Sequence, residues 1–284
     1  MSAAAERHPM YPHGWEAQLR FGLTPKQGKT VVSRQRHRGP LTMQKPFHPE
    51  SDGTCHAYIL HPPGGVVGGD SLDIELTCDA GARALITTPA ANKFYRSNGM
   101  TATQRHELRV LGTACLEWLP QETILFEGTK VNSSTKVYLE DQASFIGWEI
   151  VSVGRPACNE GFTRGSYRQS FEIWRRSEPL MIDRINLQDC SEILNAQWGL
   201  RQRPVMGLMV VSGDEEVLEK AQDSARNLVE NPGCTSVTVT GSVLLCRALD
   251  TSAMAVRNLF IDVWKVIRPV VLGKWPCEPR IWAT

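Results

Sequence analysis

No two of the eight cysteines stand as a CxxC pair, and none has a histidine beside it at zinc-site spacing. That excludes a metal site written in local spacing. Disulfides are rare in a cytosolic chain of this size, so most of the thiols are expected as reduced core residues, with Cys55 and Cys277 as candidates for exposure. No apolar run is long enough to span a bilayer. The opening stretch MSAAAERHPMYPHGW lacks the apolar segment of a secretory signal, which points to a cytosolic chain with a flexible tail over its first fifteen residues. The net charge of +1 gives no general argument for nucleic acid or membrane. No internal repeat and no low-complexity linker divides the 284 residues. GxSxG, HExxH and any local cysteine-nucleophile signature are missing too.

Alternation of apolar and polar residues fills the first two-thirds of the chain. STKVYLE (134–140) puts Thr135, Val137 and Leu139 on one face. The segments 83–88, 106–111, 114–119, 168–176 and 235–249 also read as strands. Turn residues separate them at Pro62–Pro63, Gly64–Gly65, Asn98–Gly99, Glu127–Gly128 and Pro232–Gly233. Two segments read as helix. The first spans 214–230, with Asp214 as N-cap, Val217, Ala221, Ala225 and Leu228 as the apolar stripe, and Asn231–Pro232–Gly233 as the stop. The second spans 252–267, capped by Thr251 or Ser252 and ended by Pro269, with Val256, Leu259, Phe260, Val263, Trp264 and Ile267 facing inward. The expected architecture is mostly β: a single domain of packed sheets with two α-helices near the C-terminal end.

The stretch HPPGGVVGGD (61–70) has Asp70 where a phosphate loop needs lysine, and SLDIEL after it alternates as a strand. It reads as a turn that presents Asp70. Basic SRQRHRG (33–39) has little aromatic interleaving and reads as a solvated edge strand. Two carboxylates stand on apolar strand faces: Glu149 with Phe145, Val151 and Val153, and Asp183 with Met181, Ile185 and Leu187. A charge there needs a partner or a wet cavity, so the reading divides between ion pairs with Arg155, Arg164 or Arg184 and an internal polar passage. Glu122 and Glu160 are weaker candidates of the same kind. All seven histidines precede residue 107; His56 and His61 point to opposite faces of a strand, and His48 lies in a proline-rich loop, so no metal cage is formed.

Six ordered motifs then carry a resemblance: RQRHRGPLTMQKPFHPE (34–50), YILHPPGGVVGGDSL (58–72), TTPAANKFYRS (87–97), LEWLPQETILFEG (116–128), GWEIVSVGRPACNEGF (147–162) and GKWPCEPRIWAT (273–284). Together they resemble the UreD/UreH family of urease accessory proteins, from residue 19 to the C-terminus, leaving 1–18 as a tail. The resemblance implies a mostly-β nickel-insertion chaperone without catalysis of its own. It would dock on the urease apoprotein and bind UreF-type and UreG-type accessory proteins, forming a dimer of heteromeric accessory complexes, with no nucleic acid and no membrane. Nickel would be in transit through an internal tunnel, with no tightly bound cofactor. Asp70, Glu149 and Asp183 are similar to the family's tunnel-lining positions, with Glu122 and Glu160 as weaker additions. Relatives often carry Asp where this chain has Glu149, which keeps the charge and lengthens the reach. Spaced single carboxylates suit an ion that must leave as well as enter. Two other readings are a β-rich hydrolase using Glu149 and Asp183 as an acid/base pair, and a structural scaffold without metal traffic that docks through the 252–267 helix and the C-terminal tail.

Overall fold

The computed structural model describes residues 14–188, 191–229 and 234–283. Two sheets face each other. The first holds, edge to edge, β14 (Glu178–Gln188), β13 (Ser166–Arg175), β11 (Lys130–Leu139), β8 (Ala102–Val110), β5 (Ser71–Cys78), β1 (Glu16–Lys26) and β2 (Lys29–Arg38). The second holds β16 (Thr235–Thr240), β17 (Val243–Asp250), β15 (Val205–Ser212), β12 (Ser144–Val153), β9 (Cys115–Trp118), β6 (Arg83–Thr87), β4 (Cys55–Leu60) and β3 (Thr42–Met43). The short β10 (Thr123–Leu125) and β7 (Asn92–Phe94) pair beside β12. The mostly-β expectation holds. The first strand begins at Glu16, inside the span that the resemblance leaves as a tail.

The main strands from β4 to β13 fall alternately in the second and the first sheet. Strands laid down this way run parallel within each sheet, as β5, β8, β11 and β13 do, and as β4, β6, β9 and β12 do. Stacking also aligns side chains in rows: Ile74, His106, Thr135 and Phe171 stand side by side across four strands. Period-two patterning decides which residues face the partner sheet. In β5 these are Leu72, Ile74, Leu76 and Cys78; in β11 they are Val131, Ser133, Thr135, Val137 and Leu139. The strand at 33–39 falls in β2, an exposed basic edge, as its charge requires. Central β12 is buried on both sides: Phe145, Val151 and Val153 belong to the core between the sheets, and Ile146, Trp148 and Ile150 to a second core under the helices.

Helices α2 (Glu215–Arg226) and α3 (Ala253–Leu272) cover the outer face of the second sheet; α1 (Ser191–Asn195) is a short turn that the apolar pattern does not mark. Asp214 caps α2 by accepting from the Glu216 N–H, and Ser252 caps α3 by accepting from the Ala255 N–H. The buried stripe of α2 is Leu218, Ala221 and Ala225, so Leu218 rather than Val217 leads it. The Asn231–Pro232–Gly233 stop lies outside the described residues. Pro269 does not end α3, contrary to the sequence expectation; the helix runs on to Leu272 and closes at left-handed Gly273. A proline inside a helix costs roughly 3 kcal/mol. Burial of Phe260, Val263, Trp264 and Ile267 upstream, with Val270, Val271 and Leu272 packed on the same core, outweighs that cost. Of the seven cysteines described, Cys55, Cys78 and Cys246 are buried, Cys158 is exposed, and Cys115, Cys234 and Cys277 lie between; none of these seven is paired.

One charged node fastens α3 to the sheet. The Arg268 side chain is fully buried. Its Nη2 donates to both oxygens of Glu50 at 2.7 and 2.9 Å and to Glu117 Oε1 at 2.9 Å. Nε donates to Glu117 at 3.0 and 3.1 Å, Nη1 donates to the Trp275 carbonyl, and Trp264 Nε1 donates to Glu117 Oε2 at 2.7 Å. Removing one member of such a buried group strands the others. Arg268→Met should therefore destabilise the chain by about 3–5 kcal/mol in urea unfolding. Glu117→Gln, which keeps an acceptor for Trp264, should cost less.

Candidate functional site

Glu149 sits where the two sheets meet. Its odd position in β12 turns it away from the helices and toward the first sheet. There Thr135 of β11 donates to Oε1 at 2.5 Å, and Gln169 of β13 donates to Oε2. Behind Thr135 stands buried His106, its Nδ1 3.0 Å from the Thr135 hydroxyl. A threonine that donates to a carboxylate has its lone pairs free, so Nδ1–H of His106 is the donor in that arrangement. His106, Thr135 and Glu149 thus form a hydrogen-bonded line across the space between the sheets.

Two cavities adjoin in this interlayer and share Glu149 and Val151 in their walls. The first, about 190 Å³, reaches toward the 61–70 turn past His61, Gln104, His106, Ser133 and Tyr167. The second, about 470 Å³, opens between β14 and β17 and is lined by Gln169, Asp183, Trp198, Arg247 and Cys234 among others. Burial pushes the Glu149 carboxyl up to about 7, and the negative charge of Asp183 adds to that; the Thr135 hydrogen bond opposes it. Burial pushes His106 down to about 4. The site therefore holds a neutral imidazole and a carboxyl that changes charge near neutrality.

The structure brings Glu149 and Asp183 to one cavity wall and leaves the other three candidates outside both linings. Asp183 is paired with Arg247 of β17 at 2.8 Å, an ion pair between the two sheets. That corrects the expected partners: Arg155 pairs with Glu160, and Arg164 pairs with Glu127. Glu160 also accepts the Glu127 N–H. Glu122 stands 4.0 Å from Arg257. Asp70 accepts backbone N–H bonds from Trp15 at 2.8 Å and Val67 at 2.9 Å, so it fixes its own turn and pins the start of β1 to it. Its charge also acts on His61 in the first cavity. The glycines of that turn serve close approach: a Cβ on Gly68 would lie 2.7 Å from the Met100 carbonyl oxygen.

Three inward residues escape the sequence reading: His106, Gln169 and Ser133. The signal was present for Ser133, which alternates in phase with Val131 and Val137. His106 and Gln169 sit on strands recognised as such, but their shared destination depends on which strands neighbour which.

Residues 15–283 match the family described as UreD urease accessory protein. A urease accessory protein UreD 2 of Brucella anthropi is 43% identical over 95% of this chain and 99% of its own length. One from Alcanivorax borkumensis is 42% identical over 100% of this chain and 96% of its own, and one from Nostoc punctiforme 41% over 95% and 96%. The chain belongs to the UreD family. A UreD-family chain is an accessory protein of urease maturation, not an enzyme, and the hydrolase reading falls with that. No helix among the described residues is long and apolar enough to cross a membrane.

Linkage gives the interlayer a measurable signature. Glu149 has a raised pKa in the fold, so its contribution to stability is present below about 4.5 and is lost as pH rises through about 7. His106 has a depressed pKa and works in the opposite sense, losing stability as pH falls from about 6.5 toward 4. The two slopes oppose each other between about 4.5 and 6.5. Glu149→Gln removes one of them. The stability of the variant relative to the parent should therefore climb steadily from pH 4.5 to pH 7.5, as measured by urea unfolding at a series of pH values.

Proposed function

We propose that this chain passes nickel toward the urease active site through the space between its sheets, acting in the cytoplasm with UreF-type and UreG-type partners assembled on the urease apoprotein. The observation that carries this reading is Glu149 in the shared wall of two adjoining interlayer cavities. A borderline divalent cation needs oxygen or imidazole donors that hold it weakly at several stations. Glu149 offers such a station at the junction and Asp183 one at the wider cavity, and His61, which the charge of Asp70 reaches, offers one in the narrower cavity. A carboxyl that titrates near 7 can give its proton up as the ion arrives and take it back as the ion leaves. Arg247 holds Asp183 and tempers its charge, which keeps that end from becoming a trap. Glu122 and Glu160 line neither cavity and stand beside Arg257 and Arg155, so the path proposed does not use them.

The test is urease activation in cells that carry the urease subunits and the other accessory genes, at limiting nickel. Deleting this gene should abolish active urease. Glu149→Ala and Asp183→Ala should each lower nickel per urease active site at least about tenfold, the scale on which groups around a metal act, while the complex with the UreF-type partner still co-purifies. Loss of that complex with the activity would show that the carboxylates serve the fold instead.

A further inference from the structure

We propose, resting on the interlayer as the nickel path, that His106 together with His61 makes the narrower cavity selective, so that it holds nickel and passes over magnesium. Glu149 and Asp183 offer only carboxylate oxygen, and magnesium takes oxygen ligands as well as nickel does. Imidazole suits nickel, zinc and copper and is a poor partner for magnesium. Both histidines line the narrower cavity, whose charged wall residues among those described are Glu149 and Lys93. Net charge therefore does not hold a cation there, and a specific ligand is needed.

His106 interrupts a pattern that would close without it. The row Leu76, Leu108, Val137 and Ile173 crosses four strands as apolar core. Two residues away, the row Ile74, His106, Thr135 and Phe171 carries an imidazole where an aliphatic side chain would fill the layer. His106 is only 8% exposed, and its side chain lines the cavity.

The hydrogen bonds decide which of its nitrogens is available. An ionised Glu149 only accepts. Thr135 therefore gives its single hydroxyl proton to Oε1 and accepts from His106 Nδ1–H. The lone pair is left on Nε2, which makes no hydrogen bond among the described residues. Burial keeps the ring neutral. An imidazole anchored through one nitrogen, with the other free toward an open space, has the form of a histidine ligand fixed by an outer partner. Thr135 is that partner and a positioning residue: it ties the imidazole to the carboxylate at the junction. Half-buried His61 adds a second imidazole in the same wall.

The first measurement needs no substitution. The full chain, in its complex with the UreF-type partner, is stripped with a chelator and exposed to Cu²⁺, ascorbate and oxygen, which oxidise histidines that hold the metal; mass spectrometry reads the sites. His106 and His61 should be oxidised. Excess Ni²⁺ should abolish that oxidation, and excess Mg²⁺ should leave it unchanged. An unmodified His106, the result expected if water alone meets Nε2, overturns the proposal, as does equal protection by magnesium. The second measurement is nickel loading of purified urease apoprotein by the accessory complex at limiting nickel. His106→Asn keeps an N–H for Thr135 and removes Nε2. It should lower nickel per urease active site about tenfold or more. The loss should deepen as magnesium is raised and be restored by excess nickel, which a defect of folding would not follow. Loading equal to the parent's at every magnesium level overturns the proposal. If Glu149→Ala and Asp183→Ala still lose nickel in that case, the path stands without selection by imidazole; if they too load normally, the path reading fails with it.

Discussion

Alternate placement of successive strands in two facing parallel sheets is the constraint on which everything else rests. It makes each inward residue a member of two rows, one along its own sheet and one facing the other sheet. In an apolar stack such rows would simply close into core, as Leu108, Val137 and Ile173 do. Where the rows instead carry Gln104, His106, Ser133, Thr135 and Gln169, the layer cannot close dry. Unsatisfied polar groups there would each cost about 1–3 kcal/mol. His106 and Thr135 pair with each other, Thr135 and Gln169 donate to Glu149 from the opposite sheet, and Gln104 accepts from Asn92, while Gln169 Oε1 is left without a partner; the remaining volume is the pair of cavities.

Glu149 and Asp183 show why proximity to Arg247 matters. Two carboxylates near one cavity repel, and the one without a counter-ion gives way by taking up a proton. Asp183 has Arg247 at 2.8 Å; Glu149 has only neutral donors. The asymmetry leaves an ion-paired carboxylate at the outer end and a titrating carboxyl at the junction. From β12 Glu149 reaches both Thr135 and Gln169 in the opposite sheet.

The sequence made the strands and both longer helices legible, because their periods are local. STKVYLE shows its inward face within seven residues, and Asp214 and Ser252 announce their helices at the first turn. Glu149 and Asp183 were legible as charges among apolar neighbours. Their partners were not: Arg247 lies 64 positions from Asp183 and in the other sheet, so nearer arginines looked equally good. Pro269 misled because its local cost is real, and only the packing of α3 on the sheet shows that it is outweighed.

The Glu50–His56–Cys277 cluster marks the limit of local reading most clearly. His56 and Cys277 are each unremarkable in their own stretch, and spacing rules apply only when residues lie close along the chain. Here the segment after α3 brings Cys277 back beside β4 after some two hundred residues, and Arg268 joins the two stretches by bonding Glu50, in the loop before β4, and Glu117 on β9. The same guanidinium that fastens the helix therefore also sets the geometry of the side chains beside it. A fold that buries two carboxylates against one arginine gains attachment for its helix, and His56, 2.8 Å from Glu50, stands where an imidazolium meets the remaining charge.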